Sequence, residues 1–377
     1  MQSYILLGIL VSVTLFELIY YWVYLDAVNR RVRKLKEQPA EQKDVLPMVS
    51  VVISARNESE NLRLFLHRVL TQDYPNYEVI VVDDESEDDT RLVIEQYQQQ
   101  YHHLRSTFVP HNVRIRSSKK LALTLAAKAA KGEYLLLTDA DCVPDGEQWI
   151  RGMVREFTSG TEVVLGFGAY MEKKTLLNRL IQYDTLFNGL QYMGMALMGH
   201  PYMGVGRNLA YSKELFFRQN GFAGLLGLRA GDDDLFVNKV SNRWNTRVAV
   251  SKESITWSVP KETFREWLQQ KRRHLSVSPN YARRTKCLLV TEPMMRGLFY
   301  LILVLICLQP CWWLWCVAGG CFLLRLLTQI LVMNRAAHHF SLKGFGPAFV
   351  LFDIYLPINN LLLMLLNAMN KKKLQQW

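Results

Sequence analysis

Apolar residues collect at both ends of this chain, so its charged middle must fold beside a hydrophobic phase. The runs are "YILLGILVSVTLFELIYYWVYL" (4–25), "LFYLILVLICLQPCWWLWCVAGG" (298–320), "CFLLRLLTQILVM" (321–333) and "PAFVLFDIYLPINNLLLMLLNAM" (347–369). A bilayer core about 30 Å thick needs roughly 20 apolar residues in a helix, so the first, second and last are long enough to cross and the third is short. The first lacks a basic leader and a small-residue cleavage site, and Tyr20, Tyr21, Trp22 and Tyr24 crowd its end as an interfacial belt. It reads as a retained anchor. Arg30, Arg31, Arg33, Lys34 and Lys36 follow directly, which by the positive-inside rule puts this flank and the next domain in the cytoplasm, on a multi-pass protein of the cell (inner) membrane.

Three crossings after a cytoplasmic domain would carry the far end outside, whereas Lys371, Lys372 and Lys373 favour the inside. Arg325 in the third run, and Asp353, Pro357, Asn359 and Asn360 in the last, make either one a candidate interfacial or re-entrant helix, leaving two or three C-terminal helices. The net charge of +11 then speaks for membrane lipid headgroups and an anionic ligand rather than nucleic acid. The six cysteines form no disulfide or metal spacing and read as packing residues. Three regions result: an anchor with its basic flank (1–47), a folded domain (48–286) and a C-terminal membrane region (287–377).

Within the middle region short β-rich runs alternate with helical patterns, the signature of an α/β fold with a mostly parallel sheet covered by helices. "MVSVVISA" (48–55) is the first strand, and a helix follows with Asn57 or Ser59 as its cap and Leu62, Phe65, Leu66 and Val69 as its apolar stripe. "YEVIVVDD" (77–84) is the second strand. "SKKLALTLAAKAA" is a helix leading into "EYLLLTDADC" (133–142). In that last strand Asp139 and Asp141 lie on one side of an extended backbone, so both can point at one cation.

Arg56-Asn57-Glu58, Asp83-Asp84-Glu85 and Asp139-Asp141 each follow a strand at once. In open parallel sheets ligands collect at the carboxyl ends of the strands, so the three clusters should share one edge. Each alone could be a solvated turn. Together they make an anionic pocket that needs a counter-charge, and oxygen ligands completed by a substrate's phosphates suit Mg²⁺ or Mn²⁺. Lys119 or Lys120, ahead of the alanine-rich helix, could neutralise a phosphate.

The ordered set "SARNES", "VVDDES", "LLLTDADC", "GVGRNLAYSKELF" (204–216), "GDDDLFV" (231–237) and "QQKRRH" (269–274) resembles the inverting GT-A glycosyltransferases of family 2, in the membrane-anchored branch with the cellulose, hyaluronan and poly-N-acetylglucosamine synthases. The resemblance spans roughly Val49 to His274 and implies a GT-A fold flanked by transmembrane helices. It also implies transfer of a hexose from a nucleotide-sugar, a UDP-type donor, to a glycan or lipid-linked acceptor near the membrane. Asp83 and Asp84 would contact the nucleoside, with Arg56 and Glu58 lining its pocket. Asp139 would lie near the donor, Asp141 would ligate the metal, and Gln270 and Arg273 would face the diphosphate. A carboxylate of "GDDDLF" would be the general base. Aligning Leu235 with the family's leucine gives Asp232, with Asp233 second, because Gly231 replaces the usual glutamate. His274 replaces a tryptophan that in the synthases stacks on the acceptor, which leaves single and processive transfer both open.

The chemistry asks for these groups independently. A departing nucleoside diphosphate gains negative charge that a metal stabilises, and the incoming hydroxyl must lose a proton to a carboxylate on the opposite face. The rival class is a membrane-anchored, non-catalytic nucleotide-binding or scaffold protein. A nucleotidyltransferase would want a glycine-rich phosphate loop, and "ISARNESEN" has no glycine. The stretch 177–199 reads as an amphipathic helix with a Met and aromatic stripe.

Overall fold

Strands buried on both faces lose the polar alternation of half-exposed ones, and the Val- and Ile-rich runs of this chain obey that rule. The computed structural model describes residues 2–37, 46–110, 117–228, 230–346 and 348–369. Its strands are β1 (Val49–Ala55), β2 (Tyr77–Asp83), β3 (Leu104–Phe108), β4 (Tyr134–Asp139), β5 (Cys142–Pro144), β6 (Val163–Leu165), β7 (Gly168–Tyr170), β8 (Leu209–Ser212), β9 (Thr246–Val248) and β10 (Thr256–Ser258). They form a seven-stranded sheet, β3-β2-β1-β4-β8-β6-β9, and a three-stranded sheet, β5-β10-β7.

From β3 to β4 every pairing is parallel, and the order reverses between β1 and β4, the position where open α/β sheets bind ligands. Registers Ala55↔Asp83 and Ser54↔Asp139 bring the ends of β1, β2 and β4 level. The expected shared edge therefore exists. Beneath it the core packs Val51, Ile53, Leu66, Val69, Val79 and Val81 with Trp149 and Met153.

Two compact units divide the chain. One contains the sheets (Arg31–Lys173 and Met195–Pro260); the other is helical (Met1–Arg30, Lys174–Gly194 and Lys261–Trp377). Among the described residues four helices are long and apolar enough to cross a membrane: Ser3–Glu37, whose last residues from Arg31 fall in the sheet unit, Arg283–Cys307, Trp312–His339 and Ala348–Met369. The third apolar run is thus not a short element of its own. The chain breaks near Pro310, which supplies no amide hydrogen, and not at Gly319-Gly320, so 321–333 joins the preceding residues in a 28-residue helix.

Arg325 and Asp353, which made the third or the last run a candidate interfacial helix, are buried against each other. Arg325 Nη1 meets Asp353 Oδ2 at 2.8 Å, Arg325 Nη2 meets Glu17 Oε2 at 3.3 Å, and Arg296 joins Asp353 at 3.3 Å. Pairing within a bundle removes the cost of a lone charge at depth. The helix Leu176–Leu197 is buried nearly all round from Leu180 to Ala196, so it is a core helix, not the one-sided helix its stripe suggested. There Gly194 takes the place of any side chain: a Cβ would stand 2.0 Å from the Tyr24 carbonyl oxygen. The run Lys371–Lys373 lies outside the described residues.

Candidate active site

The loops after β1 and β2 hold each other. Asn57 N donates to Ser86 Oγ (3.0 Å), Glu87 N donates to Asn57 Oδ1 (2.8 Å), and Asn57 and Glu85 both adopt left-handed φ of 55°. The N-cap of the helix Ser59–Leu70 is Glu58, not Asn57 or Ser59, and its side chain makes no cap hydrogen bond. Thr90 Oγ1 accepts from Glu58 N (2.9 Å) and Asp88 Oδ2 from Ser59 N (3.1 Å), so the second loop caps the first loop's helix.

On this frame stand the nucleoside-side candidates. Asp84 is buried, its Oδ1 has no hydrogen-bond partner among the described residues, and burial raises its carboxyl above the ordinary range against the pull of Ser118 and Arg56. A buried carboxylate oxygen at a strand end is a group a ligand can satisfy. Asp83 Oδ1 accepts from Ser86 N (3.1 Å), and Glu58 Oε2 from Asn61 Nδ2 (2.6 Å). Arg56 is exposed.

At the end of β4, oxygens of Asp139 and Asp141 and the Cys142 sulfur all lie within 4.8 Å of one another. Cys142 is turned to packing. Its sulfur sits 2.9 Å from Ser258 Oγ and 3.3 Å from Asp141 Oδ1, and burial pushes the thiol well up, keeping it protonated. The donors left are carboxylate oxygens, the hard ligands of Mg²⁺ or Mn²⁺, so Asp141 with Asp139 beside it fits such an ion.

Lys119 joins this cluster to the acidic motif. Its ammonium lies 2.7 Å from Asp139 Oδ1 and 3.5 Å from Asp232 Oδ2. Against the desolvation that would lower it, the charges of Asp139 and Asp232 hold Lys119 above its ordinary value. Its neighbour Lys120 is fully buried and donates to the carbonyls of Leu228 (2.5 Å) and Ala230 (2.8 Å), fixing the loop that leads into the acidic motif. Burial pushes Lys120 down against the pull of Asp232 and Asp234. Adjacent residues on a helix point about 100° apart, so one lysine faces the acids and the other the loop.

In "GDDDLF" the three acids have different surroundings. Asp233 caps the helix Asp234–Val240: Oδ1 accepts from Asp234 N and Oδ2 from Gly206 N, each at 2.8 Å. Burial and the charge of Asp232 raise Asp233. Asp234 Oδ1 accepts from Leu235 N (2.7 Å). Asp232 is the acid directed at Lys119. Gly231 has φ +95°, and a Cβ there would meet Leu235 Cδ1 at 2.5 Å, which is why no glutamate stands at this position.

Gln270 and Arg273 belong to the helical unit, on the helix Phe264–Leu275. Lys271 on that helix bonds Asp184 (2.8 Å) and Arg272 bonds Asn367 (2.8 Å), so Arg272 fastens a helix rather than facing water. Sequence reasoning did not single out Asp88, Thr90 or Arg207; the polar cluster after β2 was the one signal for the first two.

A mostly parallel sheet with a D-x-D strand end and an acidic motif across one lysine is the arrangement of the GT-A fold. Residues 50–218, a little under half of the chain, match the family model "Glycosyl transferase family 2". Glycosyltransferase AglE of Haloferax volcanii is 33% identical over 124 residues, 32% of this chain and 39% of that protein, so the match spans about two fifths of the relative's length. The mannosyltransferase PcManGT from Pyrobaculum calidifontis, solved with GDP-Man and Mn²⁺, superposes with a TM-score of 0.54 at 19% identity, covering 88% of this chain and 99% of that one. This likeness is one of fold.

Proposed function

We propose that this protein is an inverting glycosyltransferase that moves a sugar from a nucleoside diphosphate sugar to a lipid-linked or otherwise membrane-proximal acceptor, with its sheet unit in the cytoplasm. The observation that carries this is Lys119, whose ammonium lies between Asp139 of the strand-end cluster and Asp232 of the acidic motif. One side of that cation offers oxygens for a donor's diphosphate site, and the other a carboxylate able to take a proton from an acceptor hydroxyl. A divalent ion held by Asp141 with Asp139 would act as a Lewis acid toward the leaving diphosphate. Asp232 accepts the hydroxyl proton, Lys119 offsets the crowded negative charge, and Asp84 offers its buried oxygen to the nucleoside. A single base without a covalent intermediate inverts the anomeric centre. The sequence favours a UDP-sugar; similarity to PcManGT, solved with GDP-Man, supports GDP-mannose as the alternative.

Thermal shift of the full-length protein in detergent with UDP- and GDP-sugars, with and without Mn²⁺, tests this, because a ligand of the folded state raises its melting temperature by mass action. A donor should shift wild type in Mn²⁺ and fail to shift Asp141→Asn. No shift with any donor, and no difference between wild type and D141N in sugar transfer by membranes, would refute the proposal and favour a scaffold.

A further inference from the structure

The segment "GVGRNLAYSKELF" contains one charged side chain at the site that the roles above leave unused, Arg207. Its neighbours do structural work. Gly206 N donates to Asp233 Oδ2 at 2.8 Å. Asn208, fully buried, donates to the carbonyls of Phe167 (2.8 Å) and Ser254 (2.7 Å) and accepts from Trp149 Nε1 (3.1 Å). The Arg207 carbonyl itself accepts from Thr138 Oγ1 (3.1 Å) on β4 and Thr256 Oγ1 (3.0 Å) on β10. The turn is therefore held by backbone groups and by Asn208. None of these contacts requires a guanidinium.

The Arg207 side chain runs along β7. Nη2 donates to Gly168 O (2.8 Å), and the guanidinium carbon lies 4.5 Å from the centroid of the Tyr170 ring. Gly168 makes the path possible, since a Cβ there would stand 2.3 Å from Arg207 Nε. Pairing aligns Tyr170 with Ser258 and Ser258 with Cys142 across the small sheet, so these three side chains share one face. Two strand spacings, roughly 10 Å, separate the strand of Tyr170 from the strand that follows Asp141. Arg207 thus stands next to a residue clasped by the acidic motif, braced two strand spacings from the strand that follows Asp141.

A planar guanidinium fork held by stacking suits phosphate oxygens better than a mobile ammonium does. We propose that Arg207, braced on Tyr170 and admitted by Gly168, forms a phosphate-recognition subsite beside the reaction centre. This deepens the proposed function and rests on it. Two sources share that chemistry: the donor's diphosphate and the phosphate of a lipid acceptor.

The test uses the full-length protein in detergent, with UDP and GDP in Mn²⁺ as donor probes, farnesyl phosphate as the lipid-phosphate probe and farnesol as its uncharged control. Arg207→Met should melt within about 2 °C of wild type, because the backbone clasps remain. It should weaken one phosphate probe by about tenfold or more, the worth of a hydrogen bond to a charged group, and leave farnesol unchanged. Loss of nucleotide affinity assigns the subsite to the donor, and loss of farnesyl phosphate affinity assigns it to the acceptor. A stable R207M that binds every probe within about twofold of wild type overturns the subsite and leaves the proposed function standing. If R207M does not fold, Arg207→Lys, which keeps stem and charge but not the fork, carries the same comparison, and unchanged affinities overturn the proposal. Wild-type protein that binds neither nucleotide would sink the proposed function and the subsite with it.

Discussion

Exchanging Asp232 and Asp233 separately for asparagine tells a base from a helix cap. Both oxygens of Asp233 accept backbone amides at 2.8 Å, from Asp234 and Gly206. Asparagine has one acceptor oxygen, and its NH₂ would face the second amide, donor against donor. Leaving a buried amide without a partner costs about 1–3 kcal/mol. For a unit of this size each kcal/mol is roughly 2–4 °C of melting temperature, so Asp233→Asn should lower Tm by about 2–12 °C. Among the described residues Asp232 makes no such contact; it faces Lys119 at 3.5 Å, and Lys119 keeps Asp139 at 2.7 Å when Asp232 is neutral. Asp232→Asn should therefore melt within about 2 °C of wild type while sugar transfer falls by about 10²–10⁴, the usual worth of a general base. Differential scanning fluorimetry of purified protein and incorporation of labelled sugar by membranes give the two readouts. A stable, inactive D233N beside an active D232N would refute the assignment. So would a D232N that loses several degrees.

Three further outcomes follow from the packing. Gly194→Ala should destabilise the helical unit by about 1–3 kcal/mol or more, because the new methyl meets the Tyr24 carbonyl at 2.0 Å and backbone must move; an unchanged melting temperature in detergent would contradict this contact. Arg325→Gln leaves the buried Asp353 and Glu17 short of counter-charge and should cost about 3–5 kcal/mol, part of which Asp353→Asn in the same chain restores; a double variant no better than the single would argue against direct pairing. Glu78 is buried, yet hydrogen bonds from Arg105 (2.8 Å), Lys131 N (2.5 Å) and Ser50 (2.7 Å) hold its carboxyl below the usual range. Its stabilisation is complete above the unfolded-state value of about pH 4.3 and is lost as pH falls through the lower folded value, so Glu78→Gln should cost about 1–3 kcal/mol at neutral pH. Arg105 is 39% exposed, which favours the low end, and the gap to wild type should close in acid; a gap constant down to about pH 3 would refute the linkage.

Much of this architecture is written in short-range pattern. Unbroken β-branched runs specify buried strands, and an apolar run of membrane length specifies a crossing, because each depends only on residues contiguous in the chain. The polar clusters after β1, β2 and β4 were legible for the same reason, and parallel pairing then had to put them on one edge. Helix limits at the far end were less legible, since composition divided the chain at Gly319-Gly320 while Pro310, which cannot donate an amide hydrogen, set the actual break.

The sequence by itself determined the elements and the supply of acids and bases at one edge of the sheet. Tertiary structure alone decided which members of that supply meet. Lys119 and Lys120 are identical in composition and consecutive on one helix, yet one lies between Asp139 and Asp232 and the other binds two loop carbonyls. Asp232 faces Lys119, whereas Asp233 is fixed by the amide of Asp234 and by that of Gly206, 27 positions away. Arg325 and Asp353 are each costly at depth until the bundle brings them together. Charges and hydrogen bonds are satisfied by whichever partner packing puts within about 3 Å, and that partner is seldom a neighbour in the chain.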